Sequence, residues 1–181
     1  MIEPNHRLIL QQIDEILRRN PVVHALLLVG SVARAAADRW SDLDVIVVVA
    51  DDQMVAFTPA TLWITALGKI LAVEQYPGAG RATTRAWLTS GRVDVVVATE
   101  SCFGQEDDWP LWNGVVVCFS RSPIVNRVIA HSQQRPALQL LISEDFDSLA
   151  NQFWFHSLMA LTKVVCGHTQ PAWQLPSTRW R

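Results

Sequence analysis

The chain lacks a basic excess. Its 15 Lys and Arg stand against 17 Asp and Glu, a formal net charge of −2 over 181 residues. Long polyanions are held through clustered Lys and Arg, so this balance argues against nucleic acid as a substrate or partner. Cysteine is scarce: Cys102, Cys118 and Cys166 are widely separated, odd in number and set in apolar or mixed surroundings. That pattern suits thiols of a reducing cytosol better than a disulfide frame or a zinc site, and a cytoplasmic location is expected. His24, His131 and His156 do not have metal-ligand spacing and read as structural. No apolar run reaches the ~18 residues of a membrane span. The start, Met-Ile-Glu-Pro-Asn, lacks the basic flank and apolar core of a signal peptide, so no membrane partner is expected. There is no internal repeat and no low-complexity tract. What is present is a chain that is 50% hydrophobic, enough for one cored domain with a partial second unit.

Apolar periodicity predicts a helix over 5–19, stopped by Pro21, and a strand over 22–29. A short Ala-rich helix follows at 31–37, then a Val-rich strand at 43–50 that reads as buried on both faces. A helix is predicted over 62–73, capped by Thr58 or Thr61 with Pro59 near its first turn, and a loop over 74–80. Residues 81–88 and 92–99 read as strands joined by Thr89-Ser90-Gly91. An acidic loop at 100–110, a strand at 115–119 and a weak helix at 124–131 come next. The longest helical pattern is 145–165. The fold class is therefore α/β (α+β): a mixed sheet flanked by helices, with a partial C-terminal helical segment.

The segment 26–49, LLLVGSVARAAADRWSDLDVIVVV, carries the most chemistry. An apolar strand ends in Gly30-Ser31, a turn into a helix, where backbone N–H groups can hold a phosphate. Ser41-Asp42-Leu43-Asp44 opens the next strand. Successive strand side chains alternate, so Asp42 and Asp44 point the same way. Adjacent carboxylates raise one another's pKa unless a cation lies between them, which makes the pair a divalent-metal site. In the run 91–97, GRVDVVV, the valines take one face and Asp94 interrupts the other. Read alone, Asp42 could be a cap, Gly30-Ser31 a plain turn, and Asp94 a partner of Arg92 or Arg85.

Gly-Ser, a short helix, Asp-x-Asp on a strand and a later Asp together resemble the DNA polymerase β-like nucleotidyltransferase superfamily. Within it the chain is most similar to the small antibiotic nucleotidyltransferases, which adenylylate aminoglycosides or lincosamides. Their Gly-Ser-x-Ala-Arg-Gly, Ser-Asp-x-Asp and third Asp match Gly30, Ser31, Ala33, Arg34, Ser41, Asp42, Asp44 and Asp94. Ala35 stands where the family has Gly. A Cβ there costs about 1 kcal/mol if φ is positive and is favourable if the residue is helical.

The resemblance implies transfer of AMP from ATP to a hydroxyl of a small polar acceptor, an aminoglycoside or lincosamide, with Mg²⁺ as cofactor. Asp42 and Asp44 would hold both metals, and Asp94 the catalytic metal and the acceptor. Gly30 and Ser31 would hold the triphosphate. Arg34 would reach phosphate, or else lie solvated or paired with Asp38. Lys163, on the long helix, matches a triphosphate ligand or is an exposed helix-terminal Lys; Asn151 matches a polar position of that helix. For the general base Glu100 is the first candidate, ahead of Glu74 and Glu106. The cluster Glu100, Glu106, Asp107 and Asp108 could draw in a polycation, with Trp109 and Trp112 against a sugar ring, or simply face solvent. Phe153, Trp154 and Phe155 read as core. The resemblance also allows a homodimer that completes the acceptor site.

The expected organisation is a nucleotidyltransferase core at 1–122, the start of a C-terminal helical region at 123–166 and an irregular tail at 167–181. That tail, with two Pro, two Trp and no period, suggests a truncated or frame-shifted relative whose native-like sequence runs to about Val165 or Cys166. Two rival readings stay open. One is a minimal antitoxin that adenylylates a partner toxin; the other is a non-catalytic remnant.

Overall fold

The computed structural model describes residues 4–38, 40–58, 60–105, 109, 111, 114–134 and 146–165. It falls into two compact units, Met1–Ala137 and Leu138–Arg181. The first unit begins with α1 (Pro4–Arg18), which buries His6, Ile9, Ile13 and Leu17, one stripe at helical spacing. Strand β1 (Val23–Val29) runs into the one-turn α2 (Gly30–Ala33), and β2 (Leu43–Val49) follows. A single 3₁₀ turn (Asp51–Gln53) leads to α3 (Met54–Phe57) and α4 (Thr61–Ile64). Then come β3 (Ile70–Tyr76), β4 (Arg81–Leu88), β5 (Gly91–Thr99), α5 (Glu100–Gln105), β6 (Val116–Ser120) and α6 (Pro123–Gln133). Ser122 caps α6 by accepting from Val125 N at 3.2 Å, with Pro123 in the first turn.

The predicted helix over 62–73 is corrected. Its helical part ends in a 3₁₀ turn (Thr65–Leu67) at Gly68, whose φ of +151° suits only glycine. Ile70–Tyr76 then pairs antiparallel with β4, taking the first residues of the expected loop with it. The apolar positions that suggested a helix lie on an edge strand, where Leu71 and Val73 are exposed. Likewise, the first part of the expected acidic loop is α5, which buries Phe103.

The six strands run in the order β3-β4-β5-β2-β1-β6, antiparallel except for the β2/β5 pair. One face buries Val45, Val47, Val93, Val95 and Val97 against Ile9, Ile13, Phe57 and Ile64. The other buries Leu27, Ile46, Val48 and Ala98 against Phe103, Trp109, Val125 and Ile129. α6, which the sequence assigns to the C-terminal region, belongs to the first unit because Val125 and Ile129 complete this second core. The second core covers only one end of its face. The opposite end is left to the side chains of Asp44 and Asp94.

The second unit contributes α7 (Phe146–Val165). The expectation that Phe153, Trp154 and Phe155 are core is corrected: each is more than 60% exposed. Three consecutive helical residues point about 100° apart, so one core cannot take them all. The tail at 167–181, Cys166 and the frame-shift expectation lie outside the described residues. Among the described residues no helix is long and apolar enough to cross a membrane.

Candidate active site

The parallel pairing of β2 with β5 sets Asp44 directly opposite Asp94. Asp42 stands two residues before Asp44, so alternation sends its carboxylate to the same face. Each of Asp42, Asp44 and Asp94 offers an oxygen, and these oxygens all lie within 4.8 Å of one another. The turn that delivers Asp42 is fixed from both sides. Asp38 accepts from Trp40 N at 2.9 Å and from Ser41 Oγ at 3.0 Å, and the Ser41 carbonyl meets His6 Nε2 at 2.8 Å. His6 is buried, the one polar residue in the buried stripe of α1, which is the signal that could have marked it in the sequence.

Gly30 closes the site from β1. Its φ is +73°, and a Cβ there would fall 2.0 Å from Asp44 Oδ2. Ser31 follows in α2, and Arg34 at its end raises no barrier to Asp44: the guanidinium charge acts to lower the Asp44 pKa. The Arg34 stem runs against Gly114, where a Cβ would lie 2.9 Å from Arg34 Cγ. Ala35 has φ of +56°, the only non-glycine residue with positive φ among those described. The family's glycine position is thus a left-handed one here, occupied by alanine.

The carboxylates are electrostatically uncomfortable together. Asp44 is pushed up to about 6, first by burial and then by the charges of Asp42 and Asp94. Asp94 is also raised, chiefly by burial, against the opposing pull of Arg92. Two arginines answer this charge. Arg92 Nη2 lies 3.0 Å from Asp42 Oδ2 and 3.3 Å from Asp94 Oδ2. Arg85 Nε lies 3.2 Å from the same Asp94 oxygen. Asp94 Oδ1 remains buried with no hydrogen-bond partner. A hard oxygen-seeking cation fits this set: clustered carboxylates, a raised Asp44 and an orphaned oxygen.

Register extends the site across the sheet. Glu74 pairs with Arg85, Arg85 with Asp94, and Asp94 with Asp44, one row over four strands. Arg85 is 3.8 Å from Glu74 and stacks 5.5 Å from the Tyr76 ring centre. Beside this row a cavity of about 330 Å³ is lined by Ala72, Val73, Glu74, Arg85, Trp87 and Arg92. Sequence reasoning met both arginines only as alternative partners of Asp94. Arg92 is two residues before Asp94 on the same strand, a spacing that places both on one face.

The structure does not bring Glu100 to the carboxylates. It starts α5 after the far end of β5, six residues beyond Asp94, or about 20 Å along a strand. There Glu100 pairs with His24 Nδ1 at 3.2 Å. Trp109, expected against a sugar, is 2% exposed, lies 4.7 Å from the Phe103 ring and donates its Nε1–H to the Phe103 carbonyl. Glu106, Asp107, Asp108 and Trp112 lie outside the described residues. Lys163 and Asn151 are on α7, in the second unit. Cys102 and Cys118 are both present as thiols, Cys118 raised to about 11 by burial.

Comparison with known proteins agrees with this geometry. A family model described as streptomycin adenylyltransferase matches residues 5–168. No curated protein matches the chain.

Proposed function

The chain belongs to the streptomycin adenylyltransferase family, and on that premise we propose that it transfers AMP from ATP to a hydroxyl of an aminoglycoside, using Mg²⁺ held by Asp42, Asp44 and Asp94. The observation that carries this reading is the convergence of those three carboxylates from two parallel strands within 4.8 Å, beside a Gly30 whose missing Cβ leaves Asp44 its place. In such a transfer the acceptor oxygen bonds to the α-phosphorus while the bond to the pyrophosphate oxygen breaks. A cation held by these carboxylates would neutralise charge on the phosphate oxygens.

The chain's own residues do the rest. Gly30 and Ser31 hold the triphosphate through backbone N–H groups at the turn, with Arg34 close behind. Asp94, the carboxylate of the cluster that pairs across to β4, would accept the acceptor hydroxyl's proton and aim its oxygen.

Incubation with labelled ATP, Mg²⁺ and a panel of aminoglycosides and lincosamides tests the reading. The expected result is a mass gain of one AMP on an aminoglycoside. AMP on a lincosamide alone would reassign the acceptor, and AMP on neither class would remove the antibiotic-modifying reading.

A further inference from the structure

We propose that Arg92 is an internal counter-ion that bridges Asp42 and Asp94 until a divalent cation displaces it, so that guanidinium and metal compete for the same two oxygens. This rests on the metal reading of the carboxylate cluster.

A single nitrogen, Arg92 Nη2, touches Asp42 Oδ2 and Asp94 Oδ2 at 3.0 and 3.3 Å. Asp42 lies just before β2 and Asp94 on β5, and both belong to the candidate metal-ligand set. Without a cation, three carboxylates this close repel one another. A bridging guanidinium offsets that repulsion and holds the ligands in place. A divalent cation on the same oxygens repels the guanidinium at contact distance, so the two do not coexist there.

The structure supplies a place for the displaced side chain. Arg92 is already 5.9 Å from the Trp87 ring centre, and Trp87 is 57% exposed. Both line the cavity beside the cluster. A swing into that cavity brings the guanidinium closer to the indole face it already lies over, where it is attracted by the ring. Arg85 is different. It meets only Asp94 of the cluster and is held on its other flank by Glu74 and Tyr76. It stays when Arg92 leaves.

Mn²⁺ titration followed by electron paramagnetic resonance tests this, without nucleotide or turnover. Arg92→Gln is expected to bind Mn²⁺ about 10-fold more tightly than the wild type. Arg92→Lys keeps the charge but loses the planar fork, and is expected to bind a few-fold more tightly. If Lys at 92 gives wild-type affinity while Gln tightens binding, the residue acts only as a distant charge and displacement is wrong. Unchanged or weaker binding in both variants also overturns the proposal. If Arg92→Gln does not fold, Arg92→Lys alone decides. A second readout follows the arginine itself: the emission difference between wild type and Trp87→Phe changes on adding Mg²⁺, and does not change in an Arg92→Gln background. If no protein, wild type or variant, binds Mn²⁺, the metal reading itself falls.

Discussion

Gly30 and Asp44 share a space that admits only one side chain. A Cβ on Gly30 would lie 2.0 Å from Asp44 Oδ2 and 2.9 Å from its carboxyl carbon, and the Gly30 backbone has φ of +73°. Gly30→Ala therefore meets two penalties, a left-handed backbone costing about 1 kcal/mol and displacement of the Asp44 carboxylate. The expected outcome is a loss of transfer of about 100-fold or more, because misplacement by about 1 Å is costly in a positioned site. Circular dichroism should show the fold retained. Turnover near that of the wild type would mean that Asp44 need not stay where it is.

Asp42→Asn and Asp94→Asn remove charge from the cluster with almost no change in shape. Each is expected to lower transfer by about 10³-fold, with little loss of thermal stability. Radiolabelled-ATP turnover and a melting curve, taken together, separate this from unfolding.

The pH dependence of stability reports the cluster in the absence of metal. Asp44 is raised to about 6 by burial, with Asp42 and Asp94 adding. The folded state thus binds this proton more tightly than the unfolded state. Stability is lost as pH rises from about 4 through 6, and the penalty is complete above that. Asp44→Asn removes the penalty. In EDTA at pH 8 it should be more stable than the wild type by about 1–2 kcal/mol, the value expected after partial solvation. The difference should shrink toward zero near pH 4. Urea unfolding at the two pH values gives the answer, and equal stability at pH 8 would contradict the charge argument.

Ala35 holds φ of +56°. Replacing it with Gly relieves about 1 kcal/mol of strain in the folded chain. The greater freedom of the unfolded chain returns part of that. Ala35→Gly is expected to raise the melting temperature by about 1–3 °C. A lower melting temperature would place the residue outside the left-handed region.

Trp109 separates a core role from a sugar-binding one. It is 2% exposed and packed on Phe103. Trp109→Ala should cost about 3–5 kcal/mol of stability. If stability held and only the acceptor KM rose, the core assignment would fail.

Much of the fold was legible because its strands are short apolar runs between strong turn signals. β1, β2, β4 and β5 lie close to their expected ranges, as does the alternation that puts Asp94 on the face opposite Val93 and Val95. β3 was misread because Ile70–Tyr76 has enough apolar positions to continue a helix. Only Gly68 and the pairing with β4 stop it. Glu100 was drawn to the site by nearness in sequence to Asp94. An extended strand makes six residues a long distance, so that nearness misled.

The sequence alone determined the local unit of the candidate site: Gly30, Asp42 and Asp44 lie within one strand-turn-strand stretch, where local alternation fixes the direction of the two carboxylates. It could not determine that Asp94 stands opposite Asp44. That depends on the parallel register of β2 and β5, which join residues about 50 apart and are set by two packed cores. The same register brings Arg92 onto Asp42, and the β3/β4 pairing sets Glu74 in line with Arg85. Local spacing puts Arg92 on the face of Asp94, but its reach to Asp42 depends on pairing between separate strands, so only the tertiary structure decided that charge contact.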